Sequence, residues 1–424
     1  MKKVLLVSGM VLFLFYSVSS QENKKVSAKN SNIEFYGFIR SEFYYDSYKG
    51  INAAMDNFYL FPLYKGVDPE GNDVNQQGIT NFTAMATRFG MNISGGEILG
   101  AKTIANIETD FAGILNEYPE VLRLRKANVQ FNWEKSTLLV GQTWHPFWGH
   151  GAFFPQVGGL NTGAPFNPFN RSPQVDFDYR LRKVTLSLTA LYEYQYCSKG
   201  FYDVPNNNSK NLAKRNAGIP EMVAGLYYDS PKLSAGVAGQ YNAIKPIATT
   251  DKGYVTNNLN HSFSAMGFLG HKSEKLFILA KGLIGQNLVN MTMPGGYGVK
   301  DYNSTTGEMK YTNYTTYSAF INMVYGKTVQ LGFLSGVTGN LGTSDPLFNF
   351  NGSAKTLGLF PNIKNIYRVS PHVAYNVKNL RFIAEVETTL ANYGAGNFNF
   401  SDGLYNNHFS ATNNRIFLVL MYNF

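Results

Sequence analysis

Residues 412–424, the end of the chain, read TNNRIFLVLMYNF. Ile416, Leu418, Leu420, Tyr422 and Phe424 share one face of a strand, because apolar residues at period two mark β-structure. A free carboxylate on an apolar, aromatic strand end is a poor element of a dry core. The stretch therefore reads as a strand whose apolar face looks outward. Upstream, Val184, Leu186, Leu188, Ala190 and Tyr192 oppose Thr185, Ser187 and Thr189. Leu233, Ala235, Val237 and Tyr241 oppose Ser234, Gly236, Ala238 and Gln240, and Tyr317, Ala319, Ile321, Met323 and Tyr325 repeat the pattern. Tyr367, Val369, Val373, Tyr375 and Val377 stand against Arg368, Ser370, His372 and Asn376, and Phe382, Ala384, Val386 and Leu390 against Arg381, Glu385 and Glu387.

Working outward from these segments, strands are predicted at 33–45, 87–94, 101–111, 121–133, 136–143, 174–180, 183–193, 221–229, 232–241, 261–271, 275–285, 315–325, 328–338, 365–376, 380–392 and 412–424. Their connections alternate between short turns and long loops; the long ones are 46–86, 112–120, 144–173, 194–220, 242–260, 286–314, 339–364 and 393–411. A soluble sandwich has no reason to sort loop length by parity, whereas an outer-membrane barrel has short periplasmic turns and long external loops. In lipid every backbone N–H and C=O must be paired, so the sheet closes on itself. The polar face carries Arg40, Glu42, Lys102, Glu108, Arg381 and Glu385, and strands often end in Tyr or Phe, as aromatic girdles require. The expected fold is an all-β transmembrane antiparallel barrel of about sixteen strands. Three segments fit less well. Leu122 and Leu124 have the opposite parity to Val129, Phe131 and Trp133, which calls for a bulge or for a strand that overshoots the bilayer; Pro371 lies inside a strand; and 275–285 alternates weakly.

Composition excludes other classes. Of 424 residues 15% are charged and 15% aromatic, against about 25% charged in an average soluble domain. After residue 20 no apolar run approaches the ~18 to 20 residues of a spanning helix. Cys197 is the one cysteine, so no intramolecular disulfide forms. The net charge is +9, or +7 without Lys2 and Lys3, and no Lys/Arg block suggests nucleic acid. Residues 1–20, MKKVLLVSGMVLFLFYSVSS, have a basic start, a 13-residue apolar run from Val4 to Tyr16, and small residues Val18 and Ser20 before Gln21. They read as a cleavable signal peptide, followed by a polar periplasmic lead-in at 21–31 and the barrel at 32–424. Nucleophile-elbow, Walker, dinucleotide and HExxH motifs are absent, so no enzyme and no cofactor is expected.

The segments TRFGMNI (87–93), TIANIETDF (103–111), LRLRKANVQF (122–131) and LLVGQTW (138–144), in this order, together with the terminal Phe424, resemble trimeric Gram-negative porins and most of all the DcaP-like group. The tract NTGAPFNPFNRSP (161–173) also resembles Bacteroidetes porins. The resemblance covers roughly residues 33–145. It implies a sixteen-stranded trimer in the outer membrane whose third loop, here 144–173, folds inward, and a terminal signature of Tyr422 and Phe424 read by the barrel-assembly machinery. A passive diffusion channel for small polar solutes follows. The alternatives are a closed or plugged barrel acting as an adhesin or receptor through its loops, and a secreted soluble β-protein. A TonB-dependent transporter needs twenty-two strands and a plug, which this length cannot hold.

The inward basic set is Arg40, Arg88, Lys102, Arg123, Arg125 and Lys126, with Arg171 in the inward loop; the inward acids are Glu42, Glu108, Asp110, Glu385 and Glu387. The loop itself has no Asp or Glu. A basic wall without facing acids predicts anion preference, for carboxylates or phosphates that Arg holds in two-pronged fashion. The alternative is that Glu108, Asp110, Asp176 and Asp178 neutralise these cations. Trp144, Trp148, Phe153 and Phe154 are expected to pack the loop against the wall rather than stack a solute. His145 and His150, with no Cys or carboxylate close in sequence, make no metal site.

Overall fold

The computed structural model describes residues 32–113, 121–201 and 211–424. The expected signal peptide, 1–20, and the expected lead-in, 21–31, lie outside the described residues. Numbering only the strands that form the wall, these are β1 (Asn32–Asp46), β2 (Arg88–Ile98), β3 (Ala101–Asp110), β4 (Arg123–Asn132), β5 (Ser136–Trp144), β6 (Arg171–Leu181), β7 (Val184–Leu191) and β8 (Glu221–Asp229). The second half supplies β9 (Leu233–Ile244), β10 (Asn260–Lys272), β11 (Leu276–Gln286), β12 (Met309–Gly326), β13 (Val329–Thr343), β14 (Ile363–Val377), β15 (Leu380–Asn399) and β16 (Leu404–Asn423). Each pairs antiparallel with its sequence neighbour, and β1 closes the ring by pairing with both β2 and β16. All sixteen expected strands are present.

The alternation has the expected sense. Leu186, Leu188, Ile416, Leu418 and Leu420 are exposed on the outside, while Thr185, Ser187, Thr189, Phe417 and Val419 are buried inside. Outward Tyr179, Tyr228, Tyr325, Tyr375 and Tyr422 mark one rim. The Phe424 backbone exchanges hydrogen bonds with Gly37 (3.1 and 3.2 Å), so the last residue pins the seam. No helix of the described residues is long and apolar enough to cross a membrane.

The irregular segments have local causes. The β3–β4 register shifts between Glu108 and Thr109, so Leu122 and Leu124 face out on one side of the bulge and Val129 and Phe131 on the other. Pro371 pairs with Phe333 on β13, but the β15 ladder skips Ser370 and Pro371 and resumes at His372 in unchanged register. Residues 393–411, expected as a long loop, are instead mostly strand. β15 and β16 are each 20 residues long, about 65 Å at the usual rise, and this hairpin rises far above any bilayer.

Among the described residues the first and third loops turn into the barrel, and Leu288, Met291 and Met293, just after β11, pack on inward Val223, Met266 and Leu283. The third, between β5 and β6, does so as expected. The first, 47–87, was expected to lie outside, yet its hairpin Gly50–Ala53 with Phe58–Pro62 enters as well. Phe58, Leu60 and Phe61 form one core with Phe153, Ala164, Phe166 and Phe169 of the third loop and with wall residues Phe277, Leu279, Phe320, Val324 and Leu334. This explains β11: Phe277, Leu279 and Leu283 are apolar although they point inward, because they meet loops and not water.

Candidate functional site

The lumen has two unlike sides. Along β10–β16, and at Arg40 of the adjoining β1, inward polar side chains serve as anchors for loop backbone. Arg40 donates to the Gly158 carbonyl (2.5 Å) and to Glu42 (2.7 Å). Glu385 accepts from Gly158 N–H (2.5 Å) and Ser370 (2.7 Å). Arg368 donates to the carbonyls of Ala164 (2.8 Å) and Leu60, and pairs with Glu387 (3.3 Å). Lys281 donates to the carbonyls of Phe147 and Trp148 and to Asn167 Oδ1 (2.8 Å). Ser318 holds the Phe166 carbonyl (2.7 Å), and Asn322 accepts from Gln156 N–H (2.6 Å). Inward glycines seat the loop aromatics: a Cβ on Gly336 would lie 2.6 Å from the Phe166 ring, and one on Gly270 would strike Phe153.

Of the expected inward set, Arg40, Glu42, Glu385 and Glu387 thus lie beneath the loops, Glu42 being capped by Asn57 of the first loop (2.8 Å). The anchors Lys281, Ser318, Asn322 and Arg368 were not singled out as site residues. Their inward parity is legible in sequence, but the loop atom each one meets is not.

The other side, along β1–β5, carries the charge. The β4 bulge aims Arg123, Arg125 and Lys126 inward together, where strict alternation would allow two of the three. Arg125 bridges Glu108 (2.7 Å) and Asp110 (2.6 Å); Arg123 pairs with Asp110 (2.6 Å), Lys126 with Glu108 (3.3 Å), and Arg88 lies 3.9 Å from Glu108. Arg125 and Arg171 both lie over the Trp144 ring, at 5.7 and 4.5 Å. Both terminal nitrogens of Arg171 are buried without a hydrogen-bond partner. Five cations therefore share two carboxylates. The acids are sealed, at 3% and 0% side-chain exposure for Glu108 and Asp110, while Lys126, Arg88 and Arg123 keep 26%, 23% and 16%. Asp176, expected as a further neutralising acid, accepts from Ser187 and Thr189 instead. Lys102 stands apart, exposed beside the 99–100 turn.

The inward aromatics pack as a stack: Trp144 on Trp148 (4.0 Å, 7°) and Trp148 on Phe154 (5.0 Å, 19°). His145 and His150 do have carboxylate neighbours, from distant strands. His145 Nε2 lies 2.6 Å from Glu221 while its Nδ1 accepts from Phe147 N–H, and His150 Nε2 lies 2.8 Å from Asp229. Both histidines tie the loop to β8. Among the described residues no three His, Cys, Asp or Glu side chains gather in metal-binding geometry.

Toward the short-turn end, below the charged cluster, lies a cavity of about 380 Å³ lined by Tyr36, Asn92, Asn106, Lys126, Asn128 and Gln130 among others.

No family model and no curated protein sequence matches the chain. Solved structures do. The outer membrane channel DcaP of Acinetobacter baumannii superposes with a TM-score of 0.64 at 18% identity, over 96% of this chain and 100% of that one. An anion-selective porin from Comamonas acidovorans gives 0.53 at 9% identity, over 93% and 100%. OmpT of Vibrio cholerae, in a trimer form, gives 0.50 at 10% identity, over 93% and 100%. A closed sixteen-strand antiparallel barrel matched along nearly its whole length to these proteins has the fold of the Gram-negative outer-membrane porins.

Proposed function

We propose that this chain is an outer-membrane diffusion channel for small polar solutes, exported through its leader, that it prefers anions, and that it works as a homotrimer like the trimer form of OmpT. The observation that carries the preference is the surplus at one point of the wall: five cations on two carboxylates, with Lys126, Arg88 and Arg123 partly exposed and the acids sealed. Charged groups lining a narrow aqueous path set ion preference. Beneath the loops two of the inward arginines are matched one to one, Arg40 by Glu42 and Arg368 by Glu387. Passage is passive. The conduit runs along β1–β5, where the loops leave space, and the core on the opposite side holds it at fixed width. The fold likeness to a porin described as anion-selective is consistent with this reading.

The test is single-channel conductance of the refolded mature chain in a planar bilayer under a salt gradient. Stepwise openings in threes with an anionic reversal potential are expected. Lys126→Glu, which changes the local charge by two, shifts the reversal potential toward cations. Cation preference in the unaltered channel overturns the assigned role of the β2–β4 cluster. Silence from folded, inserted protein favours the closed barrel acting through its loops.

A further inference from the structure

We propose that the cavity below the charged cluster is a binding site for polyhydroxylated anions, sugar acids and sugar phosphates, which the channel passes in preference to bare anions of equal charge. The inference rests on the channel reading above and adds a ligand class to it. A site selecting for charge alone needs only the cations. Here the wall next to them carries a row of neutral groups that both donate and accept. Asn92, Asn106 and Asn128 stand opposite one another on β2, β3 and β4, with Gln130 two residues on. Asn106 Nδ2 donates to Tyr36 Oη (2.9 Å) and Asn92 Oδ1 (2.7 Å), and Tyr36 Oη donates to Glu108 (3.1 Å). Asn106 Oδ1, on the wall of the cavity, is left without a hydrogen-bond partner. Such an acceptor is what a hydroxyl of the anion would satisfy. Carboxamides match hydroxyl groups because each offers both roles.

The cavity is not uniformly polar. Ile104 and Leu139 share its inward lining with the amides. They break the polar face of their strands and offer an apolar patch to the C–H face of a sugar ring. Lys126 lines the same cavity and is bound to Glu108 only at 3.3 Å, so an anionic group held there leaves its hydroxyls beside Asn106 and Asn128.

The experiment compares glucuronate with cyclohexanecarboxylate, which has a six-membered ring and the same charge but no hydroxyl groups, and glucose 6-phosphate with inorganic phosphate. Current block and reversal-potential permeability are read on the unaltered channel and on Asn106→Leu and Asn128→Leu. Each hydroxylated member is expected to block more strongly than its bare partner. Each Leu substitution lowers that ratio by about two- to tenfold, the range of one net hydrogen bond, with chloride preference unchanged. Discrimination confined to the glucuronate pair assigns the site to sugar acids, and confined to the phosphate pair, to sugar phosphates. Equal block within both pairs on the unaltered, anion-selective channel overturns the proposal and leaves the channel reading intact. Cation preference or silence overturns the channel reading itself. The ratio on the unaltered protein decides the matter even if a variant fails to fold.

Discussion

Replacing Arg368 by Met tests whether the wall holds the loops. Its guanidinium is 1% exposed and joins four groups: the Ala164 carbonyl of the third loop (2.8 Å), the Leu60 carbonyl of the first, Thr389 Oγ1 (2.9 Å) and Glu387 (3.3 Å). Met keeps much of the apolar stem but leaves two buried carbonyls without donors and Glu387 without a cation. Breaking a buried pair from one side costs about 3–5 kcal/mol. If half of that falls on the docked loops, the undocked population rises roughly tenfold to sixtyfold, since 1.4 kcal/mol is a factor of ten. The expected signature is a noisier, larger-conductance channel with anion preference retained, because Arg368 is not part of the charged cluster. Arg368→Met with Glu387→Met removes the stranded carboxylate and recovers part of the barrel's stability, but not the docking, whose carbonyls stay unpaired. Conductance and noise identical to the unaltered channel in the folded single variant would refute the assignment of Arg368 as the clamp between the two loops.

Three further outcomes are expected. Leu188→Arg, on the outward face at 60% exposure, costs about 2–4 kcal/mol if it sits at mid-bilayer and blocks folding into lipid vesicles, seen as loss of the heat-resistant band; a variant that stays soluble and folded contradicts a membrane barrel. Gly336→Val meets the Phe166 ring at an overpacking cost of about 1–3 kcal/mol, and raises single-channel conductance by lifting the third loop, whereas an unchanged conductance shows that Phe166 is not seated there. In the loop after β7, burial, and then the charge of Glu221, push the Glu193 carboxyl up from 4.5 to about 7, although Asn242 and Ser198 N–H favour its ionised form. A folded-state value above the unfolded one weakens the structure as pH rises through roughly 4.5 to 7, so hydrogen exchange of residues 211–218, corrected for its intrinsic pH dependence, is better protected at pH 5 than at pH 8, and Glu193→Gln removes the difference; Lys214, Glu221 and His145 on Glu221 are the other charged or titratable groups of this pocket.

The barrel was legible because period-two patterning acts residue by residue, and lipid imposes it on every strand from β1 to β16. What escaped it depends on contacts between distant segments. That Leu122 and Leu124 change parity before Val129 is written in the sequence, which allows a bulge or an overshooting strand, and the β3–β4 register shows the bulge. That the same bulge gathers Arg123, Arg125 and Lys126 on Glu108 and Asp110 follows only when β3 is laid beside β4. Weak alternation in 275–285 looked like a defect, yet it carried information: an inward face as apolar as Phe277, Leu279 and Leu283 cannot line water, so something must cover it. The covering segment contains Phe153, Phe166 and Phe169, in a loop already rich in aromatics. The first-loop hairpin gave less warning, for the run from Phe58 to Tyr64 is broken by Pro62 and lies in a long segment otherwise polar. In the proposed channel, an apolar core buried against one side of the inner wall leaves the other side for the solute path. That is where the surplus positive charge and the amide row lie side by side, so the proposed conduit takes its position from the hydrophobic effect acting inside the barrel.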